Sequence, residues 1–187
     1  MGFTDRDTVQ RTELLMEELE VEPSGRVVVQ QAHEAAEEAR RTGKGNKGIF
    51  CGAAIELPDG TIVTGKNSQL MHAASSLVLN AIKSLAGIPD QIHLLSPTII
   101  DSVGSLKENI LRAKSVSLDL EEALIALSIS AATSPTAQLA MEKLSQLRGC
   151  EMHMTHIPTP GDQAGLARLG VNLTSEPNFS TKNLFQA

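Results

Sequence analysis

Three short stretches of this chain carry side chains able to hold or transform a ligand. Lys66, Asn67 and Ser68 follow a strand-like segment, and His72 stands at the start of a long apolar helix. Thr98 and Asp101 open a second helical stretch. Glu151, His153 and Thr155 alternate along a later apolar segment, so a period of two puts them on one side of a strand. A neighbouring Glu and His can move protons, although a solvated or hydrogen-bonded strand face is the simpler account. Asp101, Glu151 and His153 are therefore the weak catalytic candidates. Lys66, Asn67, Ser68, His72, Thr98 and Thr155 are the candidate ligand contacts. Better-known patterns are missing, since the chain has no G-x-S-x-G elbow, no H-E-x-x-H pair and no G-x-G-x-x-G after a strand. The glycines and lysines between Gly43 and Gly48 lack phosphate-loop spacing and precede a strand, so they read as a connector.

The elements around these residues follow from pattern. Asp5 to Glu20 is an amphipathic helix with a narrow apolar face, expected to pack on something, and Pro23 and Ser24 break it. A thin-faced helix runs from about Gly25 to Arg41. Cys51–Leu57 and Thr61–Gly65 flank Pro58-Asp59-Gly60, a tight-turn sequence, and form a hairpin. Leu70, Ala73, Ala74, Leu77, Val78, Ala81, Ile82 and Leu85 make the wide stripe of a core helix that Gly87 and Pro89 end. Gln91–Ser96 reads as a short strand, followed by a helical stretch from Pro97 to Leu111. Asp119 with Glu122 opens another helix, and Ser134-Pro135 restarts it as far as Leu147. Cys150–His156 is a strand, Thr159-Pro160-Gly161-Asp162 a helix start, and Val171–Thr174 a last strand. The alternation predicts an α/β/α sandwich around a mixed five-stranded sheet, with an N-terminal helix over residues 1–23 and one α/β domain over 24–187.

Composition narrows the class of function. With 187 residues and 41% hydrophobic content the chain can bury a core without staples. Four Phe, no Tyr and no Trp leave no stacking platform for single-stranded nucleic acid, and a net charge of −6 leaves no basic footprint. No nucleic-acid partner and no membrane partner are expected. Two cysteines, Cys51 and Cys150, read as small buried residues, and without a leader-like start the expected compartment is the cytoplasm.

The order of elements is similar to the cytidine deaminase fold. Zinc deaminases carry H-x-E at one helix start and P-C-x-x-C at another, so that a His and two thiolates hold zinc while a Glu shuttles protons. Laid on this chain the first motif falls on His72-Ala73-Ala74 and the second on Pro97 to Asp101. The shuttling Glu is then Ala74, and the thiolates are Thr98 and Asp101. A zinc-dependent deamination is rejected on that alignment, and no metal or cofactor is expected.

At the same residues the chain resembles the C-terminal part of a bacterial family known as domain of unknown function 1846, or uncharacterised protein family 0371. The stretches that carry the resemblance are LPDGTIVTGKNS (Leu57 to Ser68), LNAIKSLAGI (Leu79 to Ile88), LIALSISAATSP (Leu124 to Pro135) and RGCEMHMTHIPTPGDQAGLARLGVNLTSEPNF (Arg148 to Phe179). The resemblance implies a deaminase-like sandwich and a separate N-terminal half with a Gly-rich, nucleotide-binding-like segment. It supplies no function. The expectation is a non-catalytic module that binds a small polar ligand or docks another domain, with a homodimer through the Ala/Ser-rich segment from Ala123 to Ala137 as a further use. The alternative is a zinc-independent, hydrolase-like enzyme built on Asp101 or on Glu151 and His153. Whether Asn67, His72, Asp101, Glu151 and His153 share one pocket separates the two.

Overall fold

At Pro58-Asp59-Gly60 the chain reverses as its turn chemistry demands: Asp59 Oδ1 accepts from Thr61 N at 2.9 Å, and Gly60 takes a φ of +83°. The computed structural model describes residues 5–180. The turn joins β1 (Gly52–Glu56) to β2 (Ile62–Lys66), and β1 then pairs antiparallel with β3 (Glu151–Met154), which pairs parallel with β4 (Asn172–Ser175). The result is one mixed sheet in the order β2-β1-β3-β4.

The sheet has four strands and not the expected five, because Gln91–Ser96 joins no ladder among the described residues. Leu94 and Leu95 are both buried, which two adjacent residues on a one-sided strand could not be. They fill the core from an irregular segment, and Ser96 N donates instead to Ser130 Oγ at 3.1 Å. A short apolar run reports burial, and periodicity alone does not make it a strand.

Helices cover both faces of the sheet. α2 (Val27–Arg41) lays Val28 and Ala32 on Ala54, while α3 (Ala73–Leu85) packs Leu77, Val78, Ala81 and Ile82 into the larger cluster with Ala53, Ile55, Met152 and Met154. Glycines permit both approaches. A Cβ on Gly52 would lie 2.0 Å from the Ala32 carbonyl oxygen, and one on Gly65 would lie 2.4 Å from Leu77 N. α1 (Arg6–Glu18) buries no residue fully, and Val9, Leu14 and Leu15 on it are exposed.

The remaining helices complete the α3 side. α4 (Pro97–Ser105) passes into a π-helical turn over Leu106–Ile110, and α5 (Leu120–Ala131) leads to α6 (Pro135–Met141), which gives way to a 3-10 turn at Leu144–Leu147. α7 (Pro160–Leu169) ends at Gly170 in the left-handed region. Substituting Gly52→Ala should lower stability by about 1–3 kcal/mol, the usual cost of forcing atoms into a packed contact. Gly104→Ala in α4 meets nothing within 4 Å and should raise it by up to about 1 kcal/mol. Urea midpoints of the two variants against the parent measure both, and a Gly52→Ala midpoint equal to the parent's contradicts the close approach.

Candidate functional site

The start of α3 is zipped to the segment before α5 by a short parallel bridge. Leu118 N donates to Leu70 O at 2.8 Å and His72 N to Leu118 O at 2.9 Å, while Ser75 Oγ donates to the same carbonyl at 3.0 Å. α7 then brings a carboxylate to the junction. Asp162 is the N3 residue of a capping box with Thr159, and its Oδ2 accepts from Thr159 Oγ1 at 2.7 Å. The same carboxylate reaches out of its own helix. Oδ1 accepts from Leu120 N, the first residue of α5, at 2.9 Å, and Oδ2 lies 2.8 Å from His72 Nδ1, the N-cap of α3. Asp162 is 2% exposed. Gly161 lets α7 come this close, since a Cβ there would overlap the Asp119 carboxylate at 2.1 Å.

Beside this junction lies a cavity of about 210 Å³. Ile49, Cys51, Met154 and Ile157 give it apolar walls, and Asn67, His72, Ser117, Thr159 and Asp162 supply polar groups, with Lys47 among the lining residues. Concave, mostly apolar sites with a few convergent polar groups are where small ligands bind, and this volume suits a ligand smaller than a drug-sized one. Asn67 is committed to the frame: its Oδ1 accepts from Cys51 N at 2.8 Å and its Nδ2 donates to Ile49 O at 3.0 Å. His72 differs. Its Nδ1 is held by Asp162, and Nε2 has no partner among the described residues.

Charge around the site follows from burial and from that carboxylate. Burial of the His72 ring opposes its cation, but the hydrogen bond and charge of Asp162, with Asp119 behind it, outweigh burial and raise its pKa above 6.5. Burial, with Asp162 nearby, pushes the Cys51 thiol up to about 12, so it stays protonated and is not a nucleophile at neutral pH. Burial lowers the pKa of His156.

The other expected site residues disperse. Thr98 and Asp101 are exposed on α4 and line no part of the cavity, so the second helix start facing His72 belongs to α7 and not α4. Lys66 pairs with Glu38 of α2 at 2.6 Å, and Ser68 Oγ accepts from Leu70 N and Met71 N. Thr155 Oγ1 closes the sheet end by donating to Gly52 O at 3.2 Å. Glu151 and His153 lie on the α2 side, Glu151 paired with Arg26 at 2.5 Å and His153 Nδ1 with Thr174 Oγ1 at 2.9 Å. Of the five residues whose convergence would indicate an enzyme, Asn67 and His72 share the cavity; Asp101, Glu151 and His153 do not. Sequence reasoning read Thr159-Pro160-Gly161-Asp162 as a helix start and missed its reach to His72, 90 positions away.

The C-terminal model of domain of unknown function DUF1846 matches residues 24–185. The chain belongs to this family. A UPF0371 protein of Clostridium botulinum (strain Alaska E43 / Type E3) is 45% identical over 184 residues, covering 98% of this chain and 36% of the relative. One from Clostridium tetani (strain Massachusetts / E88) is 41% identical over the same shares. The chain thus spans about a third of the length of these curated relatives. No helix among the described residues is long and apolar enough to cross a membrane.

Replacing Asp162→Asn should remove the elevation of the His72 pKa and cost about 1–3 kcal/mol through the weakened buried bonds. Because the folded-state pKa is raised, the pair's contribution is fully present below the unfolded-state value and is lost as pH rises through the folded one. Imidazole NMR titration together with urea midpoints at several pH values checks this. Parent protein should lose stability across that window and the variant should lose less.

Proposed function

We propose that this domain binds a small polar ligand in the cavity at the starts of α3 and α7, with His72 Nε2 as the group that meets it. The observation that carries the reading is the 2.8 Å bond between His72 Nδ1 and Asp162, which fixes the ring while leaving the other nitrogen unclaimed. A ring held by a buried carboxylate that favours its cation is a donor suited to a carbonyl, carboxylate or similar acceptor. Lys47 at the wall favours the same sign of ligand.

The deaminase-like reading of the fold is supported by β1 running antiparallel to both neighbours, by parallel β3 and β4, and by helix starts after β2 and β3 that meet. In that comparison the second motif moves to Pro160-Gly161-Asp162-Gln163-Ala164, where glycine and alanine stand in place of the two cysteines. The metal cage is again absent from the sequence at these positions, which favours binding over zinc-dependent deamination.

A second reading has its own support. His72 and Asp162 are arranged as the base and orienting acid of a catalytic triad, so general acid–base work on a bound ligand is the enzymatic alternative. The missing partner is a nucleophile, since the thiol at Cys51 is kept protonated. Docking fits the longer relatives: Ile125 and Ile129, one turn apart on α5, are 62% and 52% exposed, and a further domain or a second copy would cover them.

Ligand-observed NMR with a set of small carboxylic acids and amides tests the binding reading. Hits should shift the His72 ring resonances, weaken at least about tenfold in His72→Ala, and for acids weaken as pH rises through the His72 pKa. Hits that bind His72→Ala as tightly as the parent, or none that touch His72, overturn it.

A further inference from the structure

On the other face of the sheet, three residues far apart in the chain bring ligand atoms together. His33 of α2, His153 of β3 and Glu176 just after β4 each offer one atom, and these atoms all lie within 4.8 Å of one another. His33 Nε2 is 2.5 Å from Glu176 Oε1, and His153 Nε2 is 3.6 Å from the same oxygen. We propose that His33, His153 and Glu176 form a binding site for a divalent transition metal ion of the zinc class.

The observation that asks for an ion is the state of His153. The residue is 6% exposed, its Nδ1 is occupied by Thr174 Oγ1 at 2.9 Å, and its Nε2 is buried with no hydrogen-bond partner. A buried imidazole nitrogen left unpaired is costly, and a metal is one of the few groups that satisfies it. The ligands are also oriented by the groups behind them, as in established sites. Thr174 fixes the His153 ring through Nδ1, and Asn178 Nδ2 holds the other Glu176 oxygen at 3.0 Å, leaving Oε1 toward the histidines.

Two His and one carboxylate form a donor set that zinc accepts with a fourth position open. Tetrahedral zinc with bonds of about 2.0–2.1 Å needs ligand atoms roughly 3.3 Å apart, so the His33–Glu176 pair would open by under about an ångström and the His153–Glu176 pair is near the required spacing. His33 is half exposed, which gives an entry path from solvent. Arg26 acts on His153 with a competing positive charge, and its guanidinium is held by Glu151 and Thr174. The ion would clip α2 to the β3–β4 side of the sheet. Nothing in the sequence marks the trio, because its members stand at positions 33, 153 and 176 with no short motif between them.

The test uses tag-free protein, stripped with chelator and dialysed, then titrated with Zn²⁺ by calorimetry and with Co²⁺ by visible absorption. One ion per chain is expected, with the ligand-field bands of a four-coordinate Co²⁺ and a rise in the thermal midpoint on adding Zn²⁺. His33→Ala changes an exposed side chain and should keep the apo thermal midpoint, yet weaken binding by no less than the roughly tenfold that loss of even an outer partner costs. Glu176→Gln should do the same, and His93→Ala, an exposed histidine elsewhere, should not. Binding well below one ion per chain in the parent, or affinity unchanged in His33→Ala, overturns the site whatever the fate of the other variants.

Discussion

A single buried carboxylate, Asp162, holds three helix starts in one place. Its two oxygens serve the first amide of α5, the cap hydroxyl of α7 and the N-cap imidazole of α3. Each helix presents the positive end of its dipole and amides without intrahelical partners at that point, so an anion is favoured there and is satisfied as soon as it is buried. The arrangement also explains why the pKa of His72 is raised despite burial. Remove the carboxylate and the α5 amide, the Thr159 hydroxyl and the imidazole all lose a partner in a place water reaches poorly.

The cavity is a by-product of that convergence. Where the helix starts meet, the connecting segments that carry Lys47, Ser117 and Thr159 surround a gap whose floor is the ends of β1 and β3 at Cys51 and Met154. Asn67 fixes the β1 side by bonding to backbone on both sides of Phe50, which keeps the wall in position without consuming the polar groups of His72. The opposite face of the sheet has separate chemistry: Arg26, Glu151, Thr174, His153 and Glu176 form their own polar network beneath α2. Four strands are enough to keep the two sets apart.

What could be read from residue order was what local chemistry decides. The turn at Asp59-Gly60, the stripe of α3 from Ala73 onward, the Asp119–Glu122 capping box and the Thr159 helix start each depend on residues within a few positions and have the expected form, while Leu70, expected in the same stripe, precedes the helix and is exposed. Gln91–Ser96 failed because burial of Leu94 and Leu95 looks the same in a strand and in a packed irregular segment. Assigning Thr98 and Asp101 to the place opposite His72 depended on that strand, so the error carried over to the site. Asp162 was visible as a helix-start residue, but its partners on α3 and α5 lie 90 and 42 positions away and leave no mark in the neighbouring sequence.

The pairing of β1 with β3 sets the pace at which the molecule can be assembled. Gly52 and Thr155, which close one end of that ladder, stand 103 positions apart, and everything between them must be looped out before the central rung forms. Loop closure of this length is entropically unfavourable until contacts on the far side repay it, so the hairpin with α3 can gather early while the middle of the sheet waits. On a ribosome the inner edge of β1 would stay open until β3 emerges, exposed for that interval to strands of neighbouring nascent chains.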